Sequence, residues 1–142
     1  MTENLTAHAA ITVRAPASKV WEALTQPALI KQYMFGTDVV TDWKVGGPIL
    51  YRGQWQGRSF EDKGTVLEVD AEKKLVCTHW SPLSGVPDAP ENYHTVTYLL
   101  SGHDGATEVT ILQDRNASEQ EKAESEQNWK MMLAGLKKVV ES

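Results

Sequence analysis

The chain has 142 residues, with 14 Lys and Arg against 19 Asp and Glu and a net charge of −5. That length suits one domain, residues 1–142, with a single sizeable core. The acidic balance (pI near 5.3) and the absence of any Lys/Arg cluster argue against a nucleic-acid or anionic-membrane binder, since both carry a basic patch.

No apolar run approaches the roughly 20 residues that a membrane helix needs. The N-terminus lacks a basic segment leading into an apolar one, the mark of a secretory signal. A soluble cytoplasmic protein without membrane insertion is expected. The single cysteine, Cys77, excludes an internal disulfide and a cysteine-only metal site.

His8 to Arg14 alternates, with Ile11 and Val13 on one face, and reads as a first strand. Ala15-Pro16-Ala17-Ser18 opens a short helix with proline near its first turn. Pro27 breaks it, and Ala28 to Tyr33 forms a second. Thr37 to Trp43 reads as a strand or extended arm, and Gly46-Gly47-Pro48 as a turn. Ile49 to Gln56, Ser59 to Asp70 and Lys74 to Trp80 are three strand candidates. Four prolines and glycines make Ser81 to Asn92 a loop. Tyr93 to Leu100 and Thr107 to Asp114 form a hairpin around Ser101 to Gly105.

Ser118 to Ser142 reads as one long helix. Ser118 and Glu121 fit a capping box. Glutamates fill its first half and lysines its second, which suits the helix dipole. Trp129, Met132, Leu133, Leu136 and Val140 share one face. Continued backwards, that face meets Ser125, Glu126 and Lys122, so the apolar stripe stops halfway. The polar half is either a solvated face or the rim of a cavity.

Strands are grouped rather than alternating with helices, which disfavours a doubly wound parallel sheet. Catalytic signatures are missing: no Gly-rich phosphate loop, nucleophile elbow or His-Glu-x-x-His pair. The four histidines lack metal-ligand spacing. No cofactor, metal or catalytic residue is assigned. By the period of two, His94 shares a face with Val96, Tyr98 and Leu100. Gln113 falls with Val109 and Ile111, and His79 with Leu75 and Cys77. If these faces look toward the long helix, they enclose a mostly apolar space with a few polar groups, as small-molecule pockets do. Buried histidines and glutamines also commonly just satisfy a neighbouring backbone group.

Several segments together resemble one known family. They are Ala15 to Thr25, Val45-Gly46-Gly47, Gly64 to Val69, Val96 to Leu100, Thr107 to Thr110, and Trp129 through Leu133 to Lys137. From about Ala9 to Glu141 the chain resembles the bacterial homologues of the activator of the heat-shock protein 90 ATPase. These lie within the START-like, polyketide-cyclase-like superfamily. The resemblance implies an α+β helix-grip fold. A curved antiparallel sheet of six or seven strands wraps around the C-terminal helix, and two short helices follow strand 1.

The favoured expectation is a binding protein for a small hydrophobic ligand, held between sheet and helix. Tyr51, Trp55, His79, His94, Tyr98, Gln113, Trp129, Met132 and Leu136 are its candidate lining. Trp129 and Met132 supply apolar contact, while His79, His94 and Gln113 orient a polar end. Ser81 to Asn92 is a candidate lid. One alternative is a cyclase- or hydrolase-type enzyme, with His79 or His94 as acid/base and Tyr98 bonding a carbonyl oxygen. Another is a chaperone-associated interaction module using Glu119, Glu121 and Glu124. The oligomeric state stays open.

Overall fold

Seven strands among the described residues form one antiparallel sheet. They are β1 (Leu5–Val13), β2 (Asp38–Val40), β3 (Pro48–Trp55), β4 (Arg58–Asp70), β5 (Lys74–His79), β6 (His94–His103) and β7 (Ala106–Asn116). Their order is β1-β7-β6-β5-β4-β3-β2. The helices α1 (Ala17–Thr25) and α2 (Pro27–Tyr33) link β1 to β2, and α3 (Glu119–Glu141) follows β7. This is the expected α+β helix grip, with the higher of the two strand counts. The structure is a computed structural model that describes residues 5–34, 36–55, 57–82 and 85–141.

Several boundaries differ from expectation, and four of the differences have a clear local reason. β1 starts three residues early because Leu5 pairs with Asn116, whose Nδ2 donates to the Leu5 carbonyl at 2.9 Å. β2 stops at Val40. Trp43 has φ 59°, outside the strand region, and its Nε1–H donates to the Thr25 carbonyl at 2.9 Å, fastening the arm to α1. Pro27 both ends α1 and supplies the first turn of α2. The β6–β7 turn shrinks to Asp104-Gly105, with φ 49° and 80°. Positive φ at both positions marks the two-residue hairpin turn that matches strand twist, so β6 runs on through Ser101 to His103.

The concave face buries Leu75, Cys77, Val96, Tyr98, Val109 and Ile111. Met132, Leu133 and Leu136 of α3 are buried against it. Small side chains on β1, Ala7 and Ala9, leave room for the helix beside that strand. The free edge of β1 is not left bare. His8 N–H donates to Glu126 at 2.9 Å and Arg14 N–H to Glu141 at 2.8 Å. Lys137 Nζ donates to the Thr12 carbonyl at 3.0 Å. Charged groups of α3 thus cover an edge that would otherwise template further strand pairing.

At the other end α3 rests on α2. A Cβ on Gly135 would lie 3.1 Å from Tyr33 Cβ, so glycine permits the close approach. Tyr33 in turn donates its hydroxyl to the Ala23 carbonyl at 2.7 Å, locking α2 to α1. The capping box is half made. Ser118 Oγ accepts the Glu121 N–H at 3.1 Å, while the Glu121 carboxylate lies 3.8 Å from His94 Nε2.

Candidate functional site

The apolar stripe of α3 ends at Trp129, and the sheet continues beneath the polar turns beyond it. The space between them is a cavity of about 290 Å³. Its floor comes from four neighbouring strands: Tyr51 of β3, Phe60 and Asp62 of β4, Cys77 and His79 of β5, and Val96 and Tyr98 of β6. Gln113 of β7 closes one side. Ser125, Asn128, Trp129 and Met132 of α3 form the roof, and Met34 and Thr37 the far end. The period-two faces explain the convergence. Tyr51 pairs with Asp62 in register, and Leu75 with Tyr98, so each pair points the same way.

A polar network fixes the roof. Trp129 Nε1–H donates to Gln113 Oε1 at 2.8 Å. Gln113 Nε2 donates to Ser125 Oγ at 3.3 Å, and Ser125 Oγ donates to Asn116 Oδ1 at 3.0 Å. These bonds hold the indole edge-on to Tyr98, with centroids 6.2 Å apart and planes at 85°. Edge-to-face contact is a favoured geometry for aromatic pairs.

The floor holds a second polar group. His79 Nε2–H donates to Asp62 Oδ2 at 2.9 Å, which leaves Nδ1 as the imidazole's free acceptor when the ring is neutral. Tyr51 lies edge-on to the same imidazole at 5.6 Å. Asp62 Oδ1 is buried and has no hydrogen-bond partner among the described residues. Burial pushes the Tyr51 and Tyr98 phenols well above their ordinary range, with each other's proximity adding to the shift of Tyr51. Both therefore stay neutral at physiological pH. Burial also pushes the Cys77 thiol up to about 11, which removes it as a nucleophile near neutrality.

Of the nine residues expected to line a pocket, Tyr51, His79, Tyr98, Gln113, Trp129 and Met132 meet in this cavity. Gln113 is engaged at both ends by the roof network, so it sets the indole's orientation. His94 lies instead in an adjoining groove with Trp80, Tyr93, Arg115 and Glu121. Its Nδ1–H donates to the Asp114 carbonyl at 2.8 Å. Leu136 is fully buried one turn beyond the cavity. Trp55 ends β3, and its side chain lies outside the described residues.

Asp62 is the main residue that sequence reasoning missed. Its signal was present: Phe60, Asp62, Gly64 and Val66 alternate on one face of β4, and a carboxylate in an apolar row is informative. The loop Ser81 to Asn92 borders the groove. It is tied down by a Lys63–Asp88 ion pair, by Tyr93 Oη donating to Asp88 Oδ1 at 2.6 Å, and by stacking of Trp80 on Tyr93. The lysine and the tyrosine hydroxyl hold the Asp88 carboxyl below its ordinary range. Among the described residues, no group of three or more His, Cys, Asp or Glu is placed to hold a metal ion. No described helix is long and apolar enough to cross a membrane.

A curved antiparallel sheet gripping a C-terminal helix over a cavity defines a START-like, helix-grip protein. Within that class the chain belongs to the family of activator of Hsp90 ATPase homolog 1-like proteins, whose pattern matches residues 14–141. ChR145 from Cytophaga hutchinsonii, known from a solution structure, is 49% identical over 99% of this chain and 97% of its own, with a TM-score of 0.87. DynU16, described as a putative protein in the dynemicin biosynthetic locus, is 20% identical with a TM-score of 0.81. The match covers 97% of this chain and 48% of DynU16. The Aha1 dimer from Colwellia psychrerythraea is 18% identical over 98% of this chain and 96% of its own, with a TM-score of 0.71. The last two likenesses bear on the fold alone. No curated protein matches the chain.

Proposed function

We propose that this protein binds a small, largely apolar molecule in the cavity between the sheet and α3. The observation that carries the reading is the roof. Trp129 is tied by a hydrogen bond to Gln113 and stands edge-on to Tyr98 at the border of the open space. A volume near 290 Å³ falls at the lower edge of the roughly 300–1,000 Å³ range of ligand pockets, which suits one or two rings or a short chain.

Binding is measured by Trp129 emission and melting temperature across a panel of neutral one- and two-ring compounds. A ligand at about 100 times its Kd adds about 2.7 kcal/mol to stability. For a domain of this size that raises Tm by about 8 °C. Asn128→Trp plugs the mouth from an exposed position and abolishes both responses. A panel that leaves emission and Tm unchanged in the wild-type protein defeats the reading.

The Asp62–His79 hydrogen bond favours a second reading, acid–base catalysis in the same cavity. A carboxylate behind an imidazole orients the ring and supports its protonated form. Turnover of a bound compound that His79→Gln abolishes without weakening binding would establish it. Unchanged turnover in that variant would remove it.

A further inference from the structure

The cavity is not uniformly apolar, and its one charged wall residue has an acid's chemistry. Among its described lining residues there is no Lys and no Arg. The nearby cation Arg115 faces the adjoining groove. The only carboxyl group is Asp62, on the floor, with 15% of its side chain exposed. His79 satisfies Oδ2, while Oδ1 is shielded from water and unpartnered among the described residues. A buried acceptor left without a donor carries a desolvation cost, which a ligand donor relieves once a turn about the broad terminal torsion of the side chain brings that oxygen to the cavity. A second negative charge in the same low-dielectric space meets the opposite fate, because Asp62 repels it and His79, the one wall group that can carry a positive charge, is already paired with Asp62.

We infer that the cavity selects neutral or cationic ligands that bring a hydrogen-bond donor, a hydroxyl or an amine, to Asp62, and that it rejects ligands with an anionic head. This rests on the cavity-binding reading and narrows it. The neutral hydroxyls of Tyr51 and Tyr98 line the same floor and have no hydrogen-bond partner among the described residues. They give the head group further partners, a donor or an acceptor at each oxygen. An alcohol, which both donates and accepts, uses all of them. A carboxylate accepts only, so it meets two phenols but also the Asp62 charge. Free fatty acids and acidic lipid head groups are therefore poor occupants, whatever their apolar portion.

The test uses four probes with one shared two-ring body: naphthalene-2-methanol, its methyl ether, naphthalene-2-methylamine and naphthalene-2-acetate. Affinities are measured by calorimetry at neutral pH with the full chain. The alcohol and the amine are expected to bind at least tenfold tighter than the ether and the acetate. Asp62→Asn keeps the side-chain shape and the acceptor for His79. It is expected to remove the amine's advantage and to bring the acetate within about threefold of the alcohol.

The wild-type ranking decides the matter even if the variant folds poorly. Acetate binding as tightly as the alcohol overturns the inference. So does a folded Asp62→Asn variant with the wild-type ranking. Equal binding of all four probes overturns it while leaving the cavity reading intact. Failure of every probe to bind overturns both.

Discussion

Replacing Gly64 by alanine should be among the most damaging single-methyl changes in this fold. β4 pairs with β3 through Thr65 and with β5 from Val66 onward. Where it passes from one partner to the other, it lies against the β5 backbone. A Cβ on Gly64 would sit 1.7 Å from the Thr78 carbonyl oxygen and 2.5 Å from its carbonyl carbon. Ordinary contact needs about 3.4 Å, so the strands must part. Three bonds span the joint: Lys63 N–H to the Trp80 carbonyl at 2.9 Å, Trp80 N–H to the Lys63 carbonyl at 2.8 Å, and Thr65 N–H to Thr78 Oγ1 at 2.8 Å. At about 1 kcal/mol each, their loss predicts a destabilisation of about 3 kcal/mol. Urea unfolding measures it as a drop in midpoint with unchanged slope. Gly102→Ala is the control. Its Cβ meets nothing nearer than 3.9 Å, so stability should stay within about 0.5 kcal/mol. The displacement also separates Asp62 from His79, since the two flank the joint, so any ligand response should fall with stability. A Gly64→Ala stability within about 0.5 kcal/mol of wild type would refute the argument.

Gln113→Leu is close in size but leaves the Trp129 indole N–H without its acceptor and takes from Ser125 one of its two partners, Asn116 remaining. A loss of about 1–3 kcal/mol is expected, with a shifted Trp emission maximum; unchanged emission would mean that the indole is held by packing alone. The alkaline limb of stability should be steep. Burial raises the folded-state phenols of Tyr33, Tyr51 and Tyr98, whereas in the unfolded chain they ionise near pH 10. Above that pH the unfolded state releases protons that the folded state retains. Stability is thus complete below about pH 10 and falls above it, at about 1.4 kcal/mol per pH unit for each group. Unfolding at fixed urea, followed by phenolate absorbance, checks this; a transition insensitive to pH above 10 contradicts it.

The strand set and the long helix were legible because period two and period 3.6 are written directly in the apolar residues. What escaped was information carried by partners. Leu5 becomes a strand residue through Asn116, and Trp43 leaves one through Thr25. Both depend on segments far away in sequence. Asp104-Gly105 was a readable turn signal, but the polar residues around it spread the loop too widely. The cavity face was legible for His79 and Tyr98 because alternation places them. His94 follows the same alternation and still misses the cavity. It is the first residue of β6, before Val96, where the Asp114 carbonyl and the start of α3 draw its ring into the groove. Asp62 was marked by the alternation of Phe60, Asp62, Gly64 and Val66, but that this face meets Tyr51 and the cavity is a fact of register.

The half-length stripe of α3 is best understood as what keeps the cavity open. Had Ser125 and Asn128 been leucines, the stripe would run back along the face that looks onto Tyr98 and Val96. Burial there would stabilise a collapsed roof by about 25 cal/mol per Å² of apolar surface covered. The protein instead places polar groups at those positions and ties Ser125 to Gln113 and Asn116. On the binding reading, stability is given up where a ligand needs space. Asn128→Leu, at an exposed position with no hydrogen bond among the described residues to lose, therefore should raise Tm by a few degrees while weakening ligand binding at least tenfold. Asn128→Gln, equally polar and uncharged, should leave Tm near wild type, so the pair separates apolar closure from general disturbance. A leucine variant that is both more stable and fully competent in binding would show that the roof stays open for some other reason.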